Sequence, residues 1–287
     1  MAEQHTIGSI LSSSEAWLRR RGVDQPKLDV GVLLAHALDM PRLNLYMNAD
    51  RPLRGDELDR FRPLLARRGA REPVSQIVGR KGFWALDFSV NKDVLTPRPE
   101  TEMLIEHSFA LQLPETARVI DLCTGSGCIA ATLASERRDW QVVATELSEA
   151  AATVAQANLE ALELSNRVEL IRGDLFANCA GTFDLVVSNP PYIGETERQD
   201  LPPEVRDYEP GIALFSGRDG LDLIRRLVAE TTERLNENGW LLIEHGCTQG
   251  EAIRHLFQAA GLRAVTTYPD LNQHDRITVG QKQATGS

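Results

Sequence analysis

From Ile7 to about Gly69 apolar residues recur every three or four positions, as in LDVGVLLAHAL and DELDRFRPLLARR, with Pro26, Pro41 and Pro52 between the segments. That spacing predicts a small helical bundle over residues 1–72. The pattern then changes: PVSQIVG, GFWALDFSV and DVLTPRPE alternate apolar residues with Gly and Pro, as short strands and turns do. Residues 73–99 are therefore expected to form a β-rich bridge. Beyond residue 100, strand-like runs (RVIDLC, QVVATEL, VELIRGDLF, FDLVVSNPP, GWLLIEHG) alternate with helix-like ones (CIAATLASE, EAAATVAQANLEAL, GLDLIRRLVAETTERL, TQGEAIRHLFQAAG), and a last strand pair follows around AVTTYPD and DRITVGQK. Such alternation builds βαβ units, and hence an α/β, Rossmann-like domain of parallel strands between helices over residues 100–287.

Composition narrows the setting. At 42% hydrophobic and 25% charged residues the chain can bury a core. No apolar run approaches the length needed to span a bilayer and the first residues lack a signal-peptide layout, so a cytoplasmic protein away from the membrane is expected. The four cysteines (Cys123, Cys128, Cys179, Cys247) have neither a CxxC pair nor a disulfide-like spacing, which predicts reduced thiols and no metal. The net charge of −10 is unevenly spread. Residues 1–72 hold 12 Lys and Arg against 10 Asp and Glu, leaving 19 against 31 for the rest. An acidic catalytic half is a poor grip for phosphates, so no nucleic-acid substrate is expected.

Two groups of residues carry the chemistry. The first opens with DLCTGSG, Asp121 to Gly127, between a strand and a helix; Gly125 and Gly127 permit a tight turn and let backbone N–H groups approach a ligand. Glu146 ends the next strand, where a carboxylate can accept both ribose hydroxyls. Asp174 follows the third, where it can face an adenine amino group while the Leu175 backbone meets the ring. Alone, either acid suits a helix cap or a solvated turn; together they form an adenosine cradle. Cys128, Ile129 and Ala130 stand where a dinucleotide fingerprint needs its third glycine, so a sulfonium nucleoside, S-adenosylmethionine, fits better than NAD.

The second group is SNPPY, Ser188 to Tyr192, directly after FDLVV. An amide nitrogen is a weak nucleophile because its lone pair is delocalised into the carbonyl. A catalyst must hold it and stabilise the charge it acquires. The Asn189 side-chain oxygen and the Pro190 backbone carbonyl can accept the two N–H hydrogens, Pro191 stiffens the turn, and Tyr192 can stack on the planar amide. No general base is needed, since an N-alkylated amide cation sheds its proton readily, and His245 in EHG is expected to be structural.

With DLCTGSG, Glu146, GDLF and NPPY in view, the segments EPVSQIVGRKGFWALDFSVNKDVLTPRPETE, VSNPPYIGETE, VRDYEPGIALFSGRDGLD and LLIEHGCTQGEAIRHLF resemble the HemK/PrmC family of protein-glutamine methyltransferases almost throughout the chain. The resemblance implies a helical N-terminal domain, a β-hairpin bridge and a Rossmann-like class I methyltransferase domain. It also implies a peptide-chain release factor as partner, methylated on the glutamine of its Gly-Gly-Gln motif in the service of translation termination. By the same resemblance Cys123, Thr124, Gly125, Ser126, Gly127, Glu146, Leu175 and Asn189 touch the cofactor, and the NPPY residues bind the glutamine. Phe83, Arg98 and Thr101 flank the site. Cys123 stands where the family more often has glycine, and DLCTGSGCIA is also similar to a sister group acting on a large-subunit ribosomal protein. An adenine amine methyltransferase and a non-enzymatic S-adenosylmethionine-binding module are the remaining alternatives. A monomer is expected, with the helical domain as the arm that recognises the substrate protein.

Overall fold

The computed structural model describes residues 5–284, which form two compact units. The first runs to Arg80 and contains α1 (Ile7–Arg19), α2 (Pro26–Leu38), α3 (Arg42–Met47), α4 (Gly55–Gly69) and α5 (Val74–Val78). Local chemistry sets their ends. Thr6 caps α1 reciprocally: its Oγ1 accepts from the Ser9 N–H at 3.2 Å and the Ser9 Oγ accepts from the Thr6 N–H at 2.9 Å. Pro26 starts α2, where an N–H would lack an intrahelical acceptor, and Asp39 ends it in the left-handed region at φ 50°. Ile7, Leu18, Leu33, Leu34, Leu45 and Phe61 form the buried centre, each contributing roughly 1.5–3 kcal/mol by leaving water.

The second unit starts with a hairpin, β1 (Arg80–Phe83) and β2 (Leu86–Ser89). There follow α6 (Glu102–Ala110), β3 (Arg118–Leu122), α7 (Cys128–Glu136), β4 (Gln141–Glu146), α8 (Glu149–Ala161), β5 (Val168–Arg172) and β6 (Phe183–Ser188). After the short α9 (Pro203–Arg206) come α10 (Asp222–Arg234), β7 (Leu235–Glu244), α11 (Gly250–Ala259), β8 (Leu262–Pro269) and β9 (Asp275–Lys282). The seven-stranded sheet has the order β5-β4-β3-β6-β7-β9-β8; the first five are parallel and β9 is antiparallel to both its neighbours. Successive residues face opposite sides: Val119, Val142, Ala144, Leu185 and Val187 join α6, α7 and α8, while Ile120, Val143, Val186 and Ile243 join α10 and α11. Burial on both faces is why these strands are continuous apolar runs. The chain steps from β3 outward to β4 and β5, then returns to place β6 on the other side of β3. This reversal opens a crevice beyond the carboxyl ends of β3, β4 and β6.

The structure divides the chain differently from the sequence pattern. PVSQIVG is not a strand: after Pro73 it forms α5, closed by Gly79 at φ 75°, and buries Ile77 in the first unit's core. The first unit therefore extends to Arg80 rather than residue 72, and the β structure of the bridge is confined to β1 and β2. Pro202–Tyr208, including α9, also belongs to the first unit. Glu204 accepts hydrogen bonds from Arg71 at 2.6 Å through each oxygen and from Arg68 at 2.9 Å, while Arg68 also binds Asp29 at 2.7 Å. Tyr208 donates its hydroxyl to the Ala70 carbonyl at 2.7 Å, and Gln76 donates to the Tyr208 carbonyl at 3.1 Å. Burial works against the Glu204 charge, but the arginines outweigh it and hold the carboxyl below its usual pKa. Among the described residues no helix is long and apolar enough to cross a membrane.

Candidate functional site

The crevice deepens into a cavity with about 1000 Å³ of empty space, its mouth included. Cys123, Thr124, Gly125 and Ser126 from the end of β3, Glu146, Leu147 and Ser148 from β4, and Gly173, Asp174 and Leu175 from β5 line it. Asn189 and Pro191 after β6, with Arg98 and Thr101 from the loop before α6, complete the main walls.

The glycine loop turns through three positive-φ residues, Cys123 (61°), Gly125 (58°) and Gly127 (82°). A Cβ on Gly125 would meet nothing within 4 Å, so space stands open above that backbone; on Gly127 it would press on the Ala155 Cβ at 3.4 Å, where the loop packs on α8. Thr124 pins the turn from below by donating to Asp121 Oδ2 at 2.5 Å. Asp121 is fully buried, and burial pushes its carboxyl up to about 7. Glu146 links loop to strand: one oxygen accepts from the Gly125 N–H at 2.9 Å, the other from the Ser148 N–H at 2.8 Å. Each oxygen retains acceptor capacity toward the cavity, enough for a pair of vicinal hydroxyls.

Cys123 adopts the backbone conformation that glycine favours, which accounts for glycine being the commoner residue in such loops. Burial and the nearby Glu146 and Asp121 carboxyls raise its thiol pKa, which favours the protonated form. Leu175 also lies in the left-handed region, at φ 50°, leaving two strained residues in the cavity lining. Asp174 is ion-paired: its Oδ2 takes a hydrogen bond from Arg226 at 2.9 Å, and that pair forms one rim.

At the end of β6 Asn189 donates through Nδ2 to the Thr101 hydroxyl at 3.1 Å, which leaves Oδ1 as its unspent acceptor. The Pro190 carbonyl accepts no hydrogen bond from a described residue. Thr101 is buried, and although it precedes α6 its side chain makes no capping bond; its partner is Asn189. Arg98 grips Glu209 at 2.6 and 2.8 Å, and burial raises the Glu209 pKa against that pull.

Two expected site residues are placed elsewhere. Phe83 does not flank the cavity: it is the inward residue of β1, 1% exposed, and packs edge-to-face on Phe88 with ring centroids 6.3 Å apart. Tyr192 is set back from the wall, partly buried against the core of α10 and α11, with its hydroxyl directed at Glu244 Oε1 across 3.4 Å. It is therefore not disposed to stack on a ligand in the cavity, and burial raises its phenol pKa. His245 is structural as expected, wholly buried between the Thr278 hydroxyl (2.8 Å) and the Gly246 carbonyl (2.9 Å). Sequence patterns did not single out Leu147, Ile212 and Leu223, which add apolar wall, or Arg226. Nor did they single out Asn158, whose amide binds the Ser89 and Ser126 carbonyls and so ties hairpin to glycine loop. A polar residue amid the apolar positions of α8 was the available signal.

The family model described as "PrmC N-terminal domain" matches residues 9–79, and "Methyltransferase small domain" matches residues 99–201. The release factor glutamine methyltransferase of Geobacter sulfurreducens is 42% identical over 96% of this chain and 96% of its own length. That of Cereibacter sphaeroides is 45% identical over 91% and 92%, and that of Pseudomonas aeruginosa 43% over 89% and 92%. Among solved structures, a methyltransferase from Pyrococcus furiosus superposes with a TM-score of 0.55 at 18% identity, covering 71% of this chain and 92% of that one. The hMettl16 catalytic domain gives 0.58 at 17%, over 77% and 81%. At those identities the structural likeness speaks for a shared fold.

Proposed function

The chain belongs to the release factor glutamine methyltransferase family, and on that premise we propose that it transfers a methyl group from S-adenosylmethionine to the side-chain amide nitrogen of the Gly-Gly-Gln glutamine in peptide-chain release factors. The observation that carries the reading is Asn189, held on the cavity wall by one amide N–H donated to Thr101, with its oxygen available. The curated relatives favour this substrate over a ribosomal protein or a nucleic-acid amine.

The residues present fit the cofactor. Glu146 has acceptors for a ribose diol, Leu147 and Leu175 offer apolar faces to an adenine, and the space above Gly125 admits a chain without phosphates. When bound, S-adenosylmethionine supplies a methyl group activated by a cationic sulfur. Asn189 Oδ1 and the Pro190 carbonyl accept the two hydrogens of the substrate amide and point its nitrogen into the cavity. They also face the positive charge that nitrogen acquires as its bond to carbon forms, so they bind the transition state more strongly than the ground state. The methylated nitrogen then loses one proton to water and no side chain need take it. We assign recognition of the intact substrate to the first unit, where Leu43, Tyr46 and Met47 of α3 are exposed. The protein acts as a monomer on a protein substrate and requires no nucleic acid.

The test is turnover with release factor in excess over enzyme and isotopically labelled cofactor. Asn189→Ala is expected to lower kcat by about 10²–10³ with a much smaller change in cofactor affinity by calorimetry. Unchanged kcat would refute the assignment of Asn189.

A further inference from the structure

Behind the NPPY turn a buried glutamine joins three stretches of chain. Gln249 sits at the start of α11, 9% exposed, and does not line the cavity. Its Oε1 accepts from the Gly246 N–H at 2.9 Å, while Nε2 donates to the Tyr192 carbonyl at 2.8 Å and to the Asp219 carbonyl at 3.2 Å. The partners settle which way this amide points. A backbone N–H can only donate and a carbonyl only accept, so a flipped amide would lose all three bonds. Gly246 is moored in turn: its carbonyl accepts from the Gln249 N–H at 3.0 Å and from His245 Nδ1 at 2.9 Å.

Both carbonyls that Gln249 holds belong to segments that build the site. Tyr192 closes the turn that begins at Asn189, and the rings of Pro190 and Pro191 fix φ in between, so the turn has few soft torsions. Its entry is fixed by β6, where Ser188 pairs with Leu122 and Ile243 and its Oγ donates to the Leu122 carbonyl at 2.7 Å. At its exit Ile193 bonds to Leu214 and Ser216, themselves loop residues, and Gln249 ties that loop to the junction of β7 and α11. Asp219 leads through Gly220 into α10, whose Leu223 and Arg226 line the cavity. The packing there is close: a Cβ on Gly220 would lie 2.1 Å from the Tyr192 oxygen and 2.8 Å from Gln249 Nε2. We infer that Gln249 is a positioning residue for methyl transfer: by holding the Tyr192 carbonyl it fixes the turn that presents Asn189 Oδ1 and the Pro190 carbonyl to the substrate amide. This inference rests on the proposed glutamine methylation.

Without the two amide donors the Tyr192 and Asp219 carbonyls lose their partner, and the turn is free to move toward water or another donor. A displacement on the order of 1 Å at a reacting group costs up to about a hundredfold in rate. The cavity walls on β3, β4 and β5 do not touch Gln249 through any of these bonds. The signature of the role is therefore a loss of kcat with cofactor binding retained.

The experiment compares the full-length enzyme with Gln249→Glu, Gln249→Met and Gly220→Ala, each also combined with Asn189→Ala, at saturating S-adenosylmethionine and release factor. Glutamate keeps the shape of residue 249 and the acceptor for the Gly246 N–H but replaces the donating nitrogen, and methionine removes donor and acceptor together. Alanine at position 220 presses on the Tyr192 carbonyl while leaving Gln249 in place. Turnover is counted per S-adenosylhomocysteine-binding site measured by calorimetry, so unfolded protein does not enter. Each single change is expected to lower kcat by about tenfold or more while affinity for S-adenosylhomocysteine stays within about threefold. In the Asn189→Ala background each is expected to cost less than about threefold, since a turn that no longer presents Asn189 has less to lose. Losses that multiply in full, or a wild-type kcat per site in either Gln249 variant, would overturn the inference. So would a wild-type kcat in Gly220→Ala, even if both changes at position 249 prevented folding. A wild type that does not methylate release factor would instead overturn the functional reading beneath it.

Discussion

At the scale of single residues, the site depends on backbone conformation as much as on side-chain chemistry. Cys123 lines the cavity at φ 61° with its thiol held protonated, so its contribution comes from the main chain. Cys123→Gly is accordingly expected to keep kcat and KM within about threefold, because relief of left-handed strain offsets the lost thiol and the greater chain entropy of glycine. Steady-state kinetics and thermal melting test this, and a hundredfold loss of kcat would assign the thiol a role. Asp121 and Glu244 titrate in the fold far above the ordinary carboxylate range, each at about 7, because burial disfavours their charge. Groups with raised pKa values bind more protons folded than unfolded, so their contribution to stability is present at low pH and is lost as pH rises through about 7. Glu244→Gln removes one such group and should flatten the fall in melting temperature between about pH 5 and 8; an unaltered slope would contradict its burial as a titrating acid. That Asn189, Glu146 and the glycine loop line one cavity was legible in the sequence, because their spacing after strands is itself the signal. Phe83 and Tyr192 were not correctly placed, since which way an aromatic ring turns from a hairpin or loop depends on packing by distant elements.

At the scale of elements, the βαβ alternation was legible because parallel strands buried on both faces must be continuously apolar. Their order was not, because pairing β6 with β3 rather than β5 is a long-range choice, and it is this choice that makes the crevice. PVSQIVG shows the limit of a short apolar pattern, which suits a strand and a single helical turn equally until Pro73 and Gly79 are weighed as start and stop signals. The annexation of Pro202–Tyr208 by the first unit was invisible for another reason: Glu204 finds Arg68 and Arg71 more than 130 residues away along the chain. Those bonds are charge-assisted and partly shielded from water. Glu204→Ala should destabilise the first unit by about 2 kcal/mol. Chemical denaturation monitored by a first-unit probe such as Trp17 would detect this, and an unshifted midpoint would mean that the segment is held by other contacts.

At the scale of the whole molecule, the division of labour follows the charge. The catalytic unit is acidic, which suits a cationic cofactor and does not suit a phosphate backbone. The near-neutral first unit, to which we assign substrate recognition, exposes Leu43 and Met47 at 68% and 72%. Replacing both with Glu is expected to raise KM for intact release factor about tenfold or more while leaving kcat and cofactor affinity near wild type. Equal loss on a short Gly-Gly-Gln peptide would place the effect in the catalytic unit instead. The central claim is the identity of the methylated atom. The most direct measurement is peptide mapping by mass spectrometry of release factor after incubation with enzyme and S-adenosylmethionine, alongside a release factor whose Gly-Gly-Gln glutamine is replaced by alanine. A single methyl group on the glutamine amide of the intact motif, and none on the replaced one, is the predicted result; methylation elsewhere on the factor, or equally on both proteins, would contradict it.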